Sequence, residues 1–175
     1  MKPKFLYNPK TAAYRDLKRL VLSDRFHWRR CSKTVTINVS EQEANDDYPF
    51  LSHMFLCRPD EFCLYPHPMS NHIGLMEQVF REIADVNELN PHLIFRMNAN
   101  AVYPTENNLP SPLHVDHDFP HNNMVIYLTD PQGGSTMVEG KEYLAKEDQV
   151  LIFDGKHCAR PPSKDIRIVL VITFL

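Results

Sequence analysis

Several features that would assign a function class at once are scarce or missing in this chain. Its 175 residues include five glycines and four cysteines, and no two cysteines form a Cys-X-X-Cys pair. The missing pair argues against a zinc knuckle and a thioredoxin-type redox motif, so we expect free thiols in a reducing compartment. No run reaches the roughly 20 apolar residues of a membrane-spanning helix, and the first residues lack the apolar stretch of a secretory signal. We therefore expect a cytoplasmic protein without membrane contact.

Charge is nearly balanced overall but unevenly distributed along the chain. The formal net charge is -3, yet residues 1–33 contain ten Lys and Arg against two acidic residues. An anionic partner bound at this segment is one interpretation, and a basic amphipathic helix lying on an acidic body is the other. The arginines are not interleaved with aromatic residues, as they are in nucleic-acid binding surfaces, which favours the helix and disfavours a nucleic-acid partner.

The first half of the chain predicts elements that support a core. With 43% hydrophobic residues, the chain is long enough for one compact domain, which we place at residues 1–175. Apolar residues recur every three or four positions over Thr11–Ser23 and over Ser70–Leu89, which predicts two amphipathic helices. Thr34–Val39 is typical of a strand, and residues 40–70, which include four prolines, are typical of irregular connections.

From Pro91 onward the chain consists of short β-branched and aromatic runs separated by turn residues. Strands at this spacing, without a helical pattern among them, indicate an antiparallel sandwich or barrel of jelly-roll type. We therefore predict a mainly β fold in which residues 91–175 form the core and residues 1–90 supply supporting helices and a strand. The candidate strands are Leu93–Val102, Leu113–Asp116, Asn123–Leu128, Ser135–Val138, Gln149–Phe153, His157–Arg160 and Ile166–Phe174.

A His-X-Asp motif is the sharpest local signal in the chain. Side chains alternate along a strand, so His114 and Asp116 project to one face while Val115 points to the other. His157 begins another candidate strand, and a barrel brings that position beside the first pair. Two histidines and one carboxylate on one face of a metal leave its other positions open, as in non-haem Fe(II) oxygenases.

Arg167 is a single cation inside the most apolar strand of the chain. A charge within such a run is costly unless it is paired, and no acidic residue follows it in Ile166–Phe174. A guanidinium holds a carboxylate by two parallel hydrogen bonds, so a ligand carboxylate fits this position. A buried pair with an acidic residue distant in sequence is the alternative.

Residues 96–174 resemble the catalytic core of the Fe(II)- and 2-oxoglutarate-dependent dioxygenases, in the prolyl-4-hydroxylase-like branch. A lone His-X-Asp is a weak signal, whereas six features in family-like order and spacing are a strong one. The six are His114-Val115-Asp116, a strand ending Ile126-Tyr127-Leu128, a Gly133-Gly134 turn with Ser135-Thr136, the strand Val150-Leu151-Ile152-Phe153, the distal His157, and Arg167. The resemblance implies a double-stranded β-helix, which is a jelly roll.

The resemblance also implies a reaction and its cofactors. Fe(II) is bound by His114, Asp116 and His157, and the co-substrate 2-oxoglutarate is fixed at its far carboxylate by Arg167 and Tyr127. With O2, such an enzyme hydroxylates an unactivated C–H bond and releases succinate and CO2. The prolyl-hydroxylase resemblance points to a prolyl residue in a peptide or protein as substrate.

Further residues receive roles from the resemblance or from strand alternation. Tyr103 matches a tyrosine that reaches the co-substrate in prolyl hydroxylases, and either tyrosine is otherwise a core residue with a satisfied hydroxyl. Val125 shares the face of Tyr127 and is expected to line the pocket. Four residues are candidate substrate contacts, with a water-facing strand edge as the alternative for the first two: Arg96, Asn98, His117 and Asp118.

Other substrates and another class of protein remain open. Nucleic-acid demethylases of this superfamily have a second arginine in the final strand, but the residues after Arg167 are uncharged, so free amino acids and other small molecules are stronger alternatives. A non-oxygenase cupin-like metal protein would use the same two histidines and aspartate, but it would not need Arg167. Residues 40–70 and 104–112 are candidates for loops over the site.

Overall fold

The computed structural model describes residues 1–31, 49–59 and 63–175, and strands dominate within these ranges. The helices are α1 (Ala12–Val21) and α2 (Ile73–Val86). The strands are β1 (Lys4–Leu6), β2 (Arg29–Cys31), β3 (Phe50–Cys57), β4 (His67–Pro68), β5 (Ile94–Val102), β6 (Asn122–Tyr127), β7 (Ser135–Val138), β8 (Lys141–Leu144), β9 (Val150–Phe153), β10 (His157–Arg160) and β11 (Arg167–Phe174). Among these helices, neither has the length and apolar content needed to cross a membrane.

The strands form two antiparallel sheets. The larger has eight strands in the order β1-β9-β6-β11-β5-β3-β2, with β4 paired to β3, and the smaller has three in the order β10-β7-β8. The last strand of the chain, β11, lies between β5 and β6 in the centre of the larger sheet. Neighbouring strands are thus mostly distant in sequence, as in jelly-roll topology. The predicted mainly β fold with a jelly-roll core is confirmed.

Alternation along the strands gives the larger sheet two different faces. On β5, Met97, Ala99 and Ala101 are buried in a hydrophobic cluster that includes residues of both helices. Arg96 and Asn98 point to the opposite face, because successive side chains of a strand alternate. On that opposite face, a second cluster joins the two sheets, and its members are Val125, Tyr127, Val138, Ala145, Leu151, Phe153 and Val169. The helices therefore cover one face, and a site can form between the sheets on the other.

Both predicted helices are present, each shorter than its sequence pattern. α1 begins after Thr11, whose hydroxyl accepts a hydrogen bond from the backbone N–H of Tyr14. It buries Tyr14 and Leu17 against the sheet, and α2 buries Met76 and Phe80 in the same cluster. The two helices are packing supports, as the sequence indicated.

Several strand predictions need correction. Residues 113–116 do not form a strand, and their pairing is limited to a single bridge between His114 and His157. Residues 40–70, predicted to be irregular, include the eight-residue strand β3 and the short strand β4. The strands β1, β2 and β8 were not predicted. The predicted strand Thr34–Val39 lies outside the described residues.

Candidate active site

A cavity of about 280 Å³ lies on the face of the larger sheet that is not covered by helices. Arg96 of β5 and Asn123 of β6 line the cavity, and both lie opposite Thr173 of β11, which is between them in the sheet. Antiparallel partners share a face, so these side chains form one row across the sheet. Arg167 is the first residue of β11 and lines the same cavity, at the other end of the strand from Thr173. Strands of both sheets thus contribute to its wall.

The three predicted metal ligands meet in this cavity. One ligand atom from each of His114, Asp116 and His157 lies within 4.8 Å of the others. Asp116 is buried, and the two histidines are partly buried. Two imidazole nitrogens and a carboxylate oxygen at this separation are a donor set suited to a divalent iron.

Hydrogen bonds to backbone carbonyls orient both imidazoles. Nδ1 of His114 lies 2.9 Å from the carbonyl oxygen of Pro112, and Nδ1 of His157 lies 3.2 Å from that of Gly155. Because a carbonyl only accepts, each Nδ1 holds the proton and each Nε2 keeps a free lone pair. Burial lowers the pKa of His157 to about 4 despite the nearby charge of Asp116. The ring is therefore neutral at pH 7, which is the form that binds metals.

Asp116 is held as a carboxylate by a buried ion pair. Its Oδ1 lies 2.7 Å from a terminal nitrogen of Arg96, and the two side chains are 4% and 11% exposed. Its Oδ2 lies 3.6 Å from Nε2 of His157 and has no hydrogen-bond partner in the described structure. Burial raises the pKa of Asp116, but Arg96, together with His157, His114 and Arg58, outweighs burial and holds that pKa far below its usual range. A buried, ionised oxygen that receives no hydrogen bond is suited to bind a metal ion.

Arg167 is a buried cation with unused hydrogen-bonding capacity. It is 4% exposed, and its Nε has no partner within the described residues. One terminal nitrogen donates to Oγ1 of Thr136 at 3.0 Å, and the guanidinium lies 5.6 Å from the ring centroid of Tyr127. These contacts orient the guanidinium without neutralising it. An anion in the cavity would complete its pairing.

Tyr127 contacts both Thr136 and the guanidinium of Arg167. Its hydroxyl donates to Oγ1 of Thr136 at 2.8 Å, and the side chain is fully buried rather than lining the cavity. Burial raises the pKa of Tyr127, although Arg167 and the hydrogen bond to Thr136 act in the opposite direction. Thr136 receives both donors, so its own hydroxyl proton is free for an acceptor in the cavity. Thr136 lines the cavity, whereas Tyr127 is connected to the cavity through this hydrogen bond.

The remaining predicted site residues divide into two groups. Val125 and Asn98 line the cavity as expected, and so does Arg96, although it pairs with a metal ligand. Tyr103 lies one residue beyond the end of β5, is 51% exposed and does not line the cavity. The structure therefore gives no support to its predicted contact with the co-substrate.

The two candidate substrate contacts after the His-X-Asp motif also lie outside the cavity. His117 is buried, and its Nε2 lies 2.9 Å from Oγ1 of Thr173. Burial, and the neighbouring His121, lower its pKa to about 4. Asp118 is exposed and is not among the residues that line the cavity. His117 is a packing residue, and the substrate-contact predictions for both residues are not supported.

Sequence reasoning missed two polar residues of the site. Thr136 follows the Gly133-Gly134 turn, and a hydroxyl in that strand gave no signal of its own. Arg58 follows β3 directly, and one of its terminal nitrogens donates to the backbone carbonyl of Asp116 at 2.7 Å. A lone arginine in a proline-rich segment cannot be assigned from sequence, because its position depends on how β3 pairs with β5.

Comparison with known proteins identifies the fold. An oxidoreductase of the 2OG-Fe(II) oxygenase family from Burkholderia pseudomallei is 16% identical, with a TM-score of 0.68 over 98% of this chain and 84% of its own. A prolyl hydroxylase from Trichoplax adhaerens, in complex with a hypoxia inducible factor oxygen degradation domain peptide fragment, is 11% identical, with a TM-score of 0.60 over 99% and 83%. No family profile and no curated protein matches the chain. The chain has the fold of the 2OG-Fe(II) oxygenases, and the resemblance noted in its sequence is confirmed at that level.

Proposed function

We propose that this chain is an Fe(II)- and 2-oxoglutarate-dependent dioxygenase that hydroxylates an unactivated C–H bond. One observation supports this above all: a single cavity contains a His-Asp-His cluster and, further along β11, the buried and incompletely paired cation of Arg167. The cluster alone would also suit a cupin-like isomerase or metal-binding protein, which has no use for Arg167. In the proposed reaction, C–H, O2 and 2-oxoglutarate become C–OH, succinate and CO2.

His114, Asp116 and His157 would hold the Fe(II). Their fit is supported by the unpartnered Oδ2 of Asp116 and by the free Nε2 lone pair of each imidazole. When bound, the iron supplies the activation of O2. The chain keeps the donor atoms oriented through the two Nδ1 hydrogen bonds, and buried side chains such as Phe153 and Val125 line the cavity and exclude water.

Arg167 and Thr136 would hold the far carboxylate of 2-oxoglutarate. The guanidinium retains N–H groups for a bidentate pair, and the Thr136 hydroxyl retains its proton. Tyr127 contributes indirectly, by donating to Thr136 and by placing its ring beneath the cation. Val125 lies between the two ends of the cavity and would contact the carbon chain of the co-substrate.

The first candidate substrate is a prolyl residue in a peptide or protein. The Trichoplax adhaerens neighbour is a prolyl hydroxylase with a bound peptide, and its fold matches 99% of this chain. The cavity wall of β3 and β5 presents Ser52, Asn98 and Asn100, whose hydroxyl and amides can pair with peptide backbone groups. Oδ1 of Asn98 is buried and has no donor within the described residues, so it would accept a substrate N–H.

The second candidate is a free amino acid or another small molecule with a carboxylate. Arg58 lines the cavity, where its charge lies close to the Asp116 carboxylate and to the like-charged Arg96. Asp116 is already paired with Arg96, so among the described residues Arg58 has no carboxylate of its own. A substrate carboxylate would supply a counterion.

Anaerobic titration with Fe(II) and 2-oxoglutarate tests the proposed chemistry. We expect a visible charge-transfer band from the chelated co-substrate in the wild-type protein. Arg167→Met should retain Fe(II) binding but weaken 2-oxoglutarate binding at least tenfold, because it removes the charged donor. Arg160→Met is the matched control, since Arg160 pairs with Glu142 outside the site. A protein that binds Fe(II) but develops no band with 2-oxoglutarate would refute the proposal.

Succinate release separates the two candidate substrates. Prolyl peptides with blocked ends should stimulate release if the substrate is a prolyl residue within a chain. Free L-amino acids, including proline, should stimulate it if the carboxylate is recognised. In the second case Arg58→Gln should abolish the stimulation while leaving the 2-oxoglutarate band in place. Mass spectrometry of the product should show one added oxygen atom.

A further inference from the structure

The two oxygens of the Asp116 carboxylate have different surroundings. Oδ1 lies 2.7 Å from a terminal nitrogen of Arg96, whereas Oδ2 has no hydrogen-bond partner among the described residues and lies 3.6 Å from Nε2 of His157. Oδ2 is therefore the oxygen on the side of the imidazole ligands. A free carboxylate can offer both oxygens to a cation, but a guanidinium already occupies one of them here.

The two groups of this pair differ in how firmly the fold holds them. Arg96 is on β5, which pairs with β3 on one side and β11 on the other, so its backbone is fixed in the middle of the larger sheet. Asp116 is in a segment without strand pairing of its own beyond the single bridge through His114. The ion pair with Arg96 thus connects a loop residue to a rigid strand.

We propose that Arg96 is a positioning residue that makes Asp116 a one-oxygen ligand and sets which oxygen faces the metal. This inference rests on the proposed metal site. It goes beyond that site, because Arg96 is not one of the three candidate ligands. The pair is almost completely buried, so removal of the guanidinium would leave the buried Asp116 carboxylate without this charged partner.

Removal of the Arg96 side chain is expected to have two opposite effects on metal affinity. Loss of a nearby positive charge would by itself strengthen the binding of a dication. Loss of the Arg96 donor frees the carboxylate to rotate, although Arg58 still donates to the backbone carbonyl of Asp116. We expect the second effect to be larger, because an unoriented ligand in an unpaired loop loses the geometry on which affinity depends.

Binding of Mn(II) and Co(II) without 2-oxoglutarate or oxygen tests this inference independently of catalysis. Arg96→Met should weaken Mn(II) binding by about 10- to 100-fold, as for other partners of metal ligands. It should also change the visible d–d spectrum of bound Co(II), because Asp116 can then offer both oxygens. Arg96→Lys retains one charged donor and should recover much of the Mn(II) affinity. Arg160→Met should alter neither quantity.

The outcomes distinguish this inference from the proposed function. Mn(II) affinity in Arg96→Met equal to or higher than wild type, with an unchanged Co(II) spectrum, would overturn the positioning role while leaving the metal site intact. Failure of the wild-type protein to bind either metal would instead refute the proposed function. If Arg96→Met does not fold, Arg96→Lys is used to test the positioning role. A Co(II) spectrum of the wild-type form in Arg96→Lys supports that role. Mn(II) affinity in Arg96→Lys as low as that of Asp116→Ala contradicts it.

Discussion

His114 and His157 are joined by backbone hydrogen bonds in both directions. The N–H of His114 donates to the carbonyl of His157 at 3.0 Å, and the N–H of His157 donates to the carbonyl of His114 at 2.9 Å. Their ring centroids are 4.5 Å apart. The separation of these two candidate ligands is thus set by the backbone of the fold and does not depend on their side chains.

The first prediction follows from this bridge. His114→Ala removes one ligand but keeps both backbone hydrogen bonds, so the fold should persist while Mn(II) affinity falls by more than about 100-fold, beyond the effect of losing an outer partner. His117→Ala is the matched control, because His117 packs outside the cavity and pairs with Thr173. It should lower the free energy of unfolding by about 1 to 3 kcal/mol without changing Mn(II) affinity.

Titration calorimetry with Mn(II) and urea denaturation measure the two quantities for each variant. The opposite pattern, in which His117→Ala loses the metal and His114→Ala retains it, would show that the ligand set has been assigned wrongly. Equal losses of affinity in both variants would indicate that the whole segment, rather than the His114 side chain, determines binding.

Local periodicity predicted those parts of the site that depend on a single strand. Alternation placed Arg96 and Asn98 on one face of β5, and they do line the cavity. The partner of Arg96 was not predictable, because Asp116 reaches it only through the folded sheet. The hydrogen bond from Tyr127 to Thr136 was not predictable either, because it depends on how β6 packs against β7.

Other failures have a physical cause in the sequence itself. Phe50–Cys57 is apolar at most positions, so it lacks the alternation that marks a strand, and prolines on both sides suggested a loop. The resemblance to prolyl hydroxylases predicts that Tyr103 reaches the co-substrate, but β5 ends at Val102, which pairs with Arg167. The side chain of the next residue is therefore outside the cavity.

The second prediction concerns Gly134, which lies against the stem of Arg167. A Cβ at this position would be 3.1 Å from Cδ of Arg167 and 3.0 Å from Cγ of Pro131. Gly134→Ala should displace the Arg167 side chain and weaken 2-oxoglutarate binding, with a stability cost of about 1 to 3 kcal/mol from overpacking. Fe(II) binding should be unchanged, because no candidate ligand contacts this glycine.

Gly74→Ala is the control for this substitution. Gly74 is in α2, where an added Cβ would have no neighbour within 4 Å. The substitution should raise the free energy of unfolding by up to about 1 kcal/mol, because alanine favours helix over glycine. Titration of 2-oxoglutarate into the Fe(II)-loaded proteins separates the two variants. Unchanged affinity in Gly134→Ala would mean that Arg167 adjusts without cost.

The third prediction uses Asp148, which connects α1 to the larger sheet. Its carboxylate accepts hydrogen bonds from the hydroxyl of Tyr14 at 2.6 Å and from the ammonium of Lys18 at 2.5 Å, and Nζ of Lys10 lies 2.8 Å away. Burial raises the pKa of Asp148, but the hydrogen bonds from Lys10, Lys18 and Tyr14 outweigh it and lower the pKa from 3.8 to about 2. A carboxyl with a lowered pKa stabilises the fold above its unfolded pKa, and that contribution disappears as the pH falls through the folded value.

Asp148→Asn should therefore lower the free energy of unfolding by about 1 to 2 kcal/mol at neutral pH, less than the full pKa shift implies because solvent screens the pairs. Asparagine tolerates the positive φ of 66° at this position, so the substitution adds no backbone strain. Urea denaturation should show the difference from wild type shrinking from about pH 5 towards about pH 2. Asp16→Asn removes only an exposed pair with Arg19 and should show little difference at any pH. A difference for Asp148→Asn that stays constant over this range would mean that the effect comes from packing and not from the charge of Asp148.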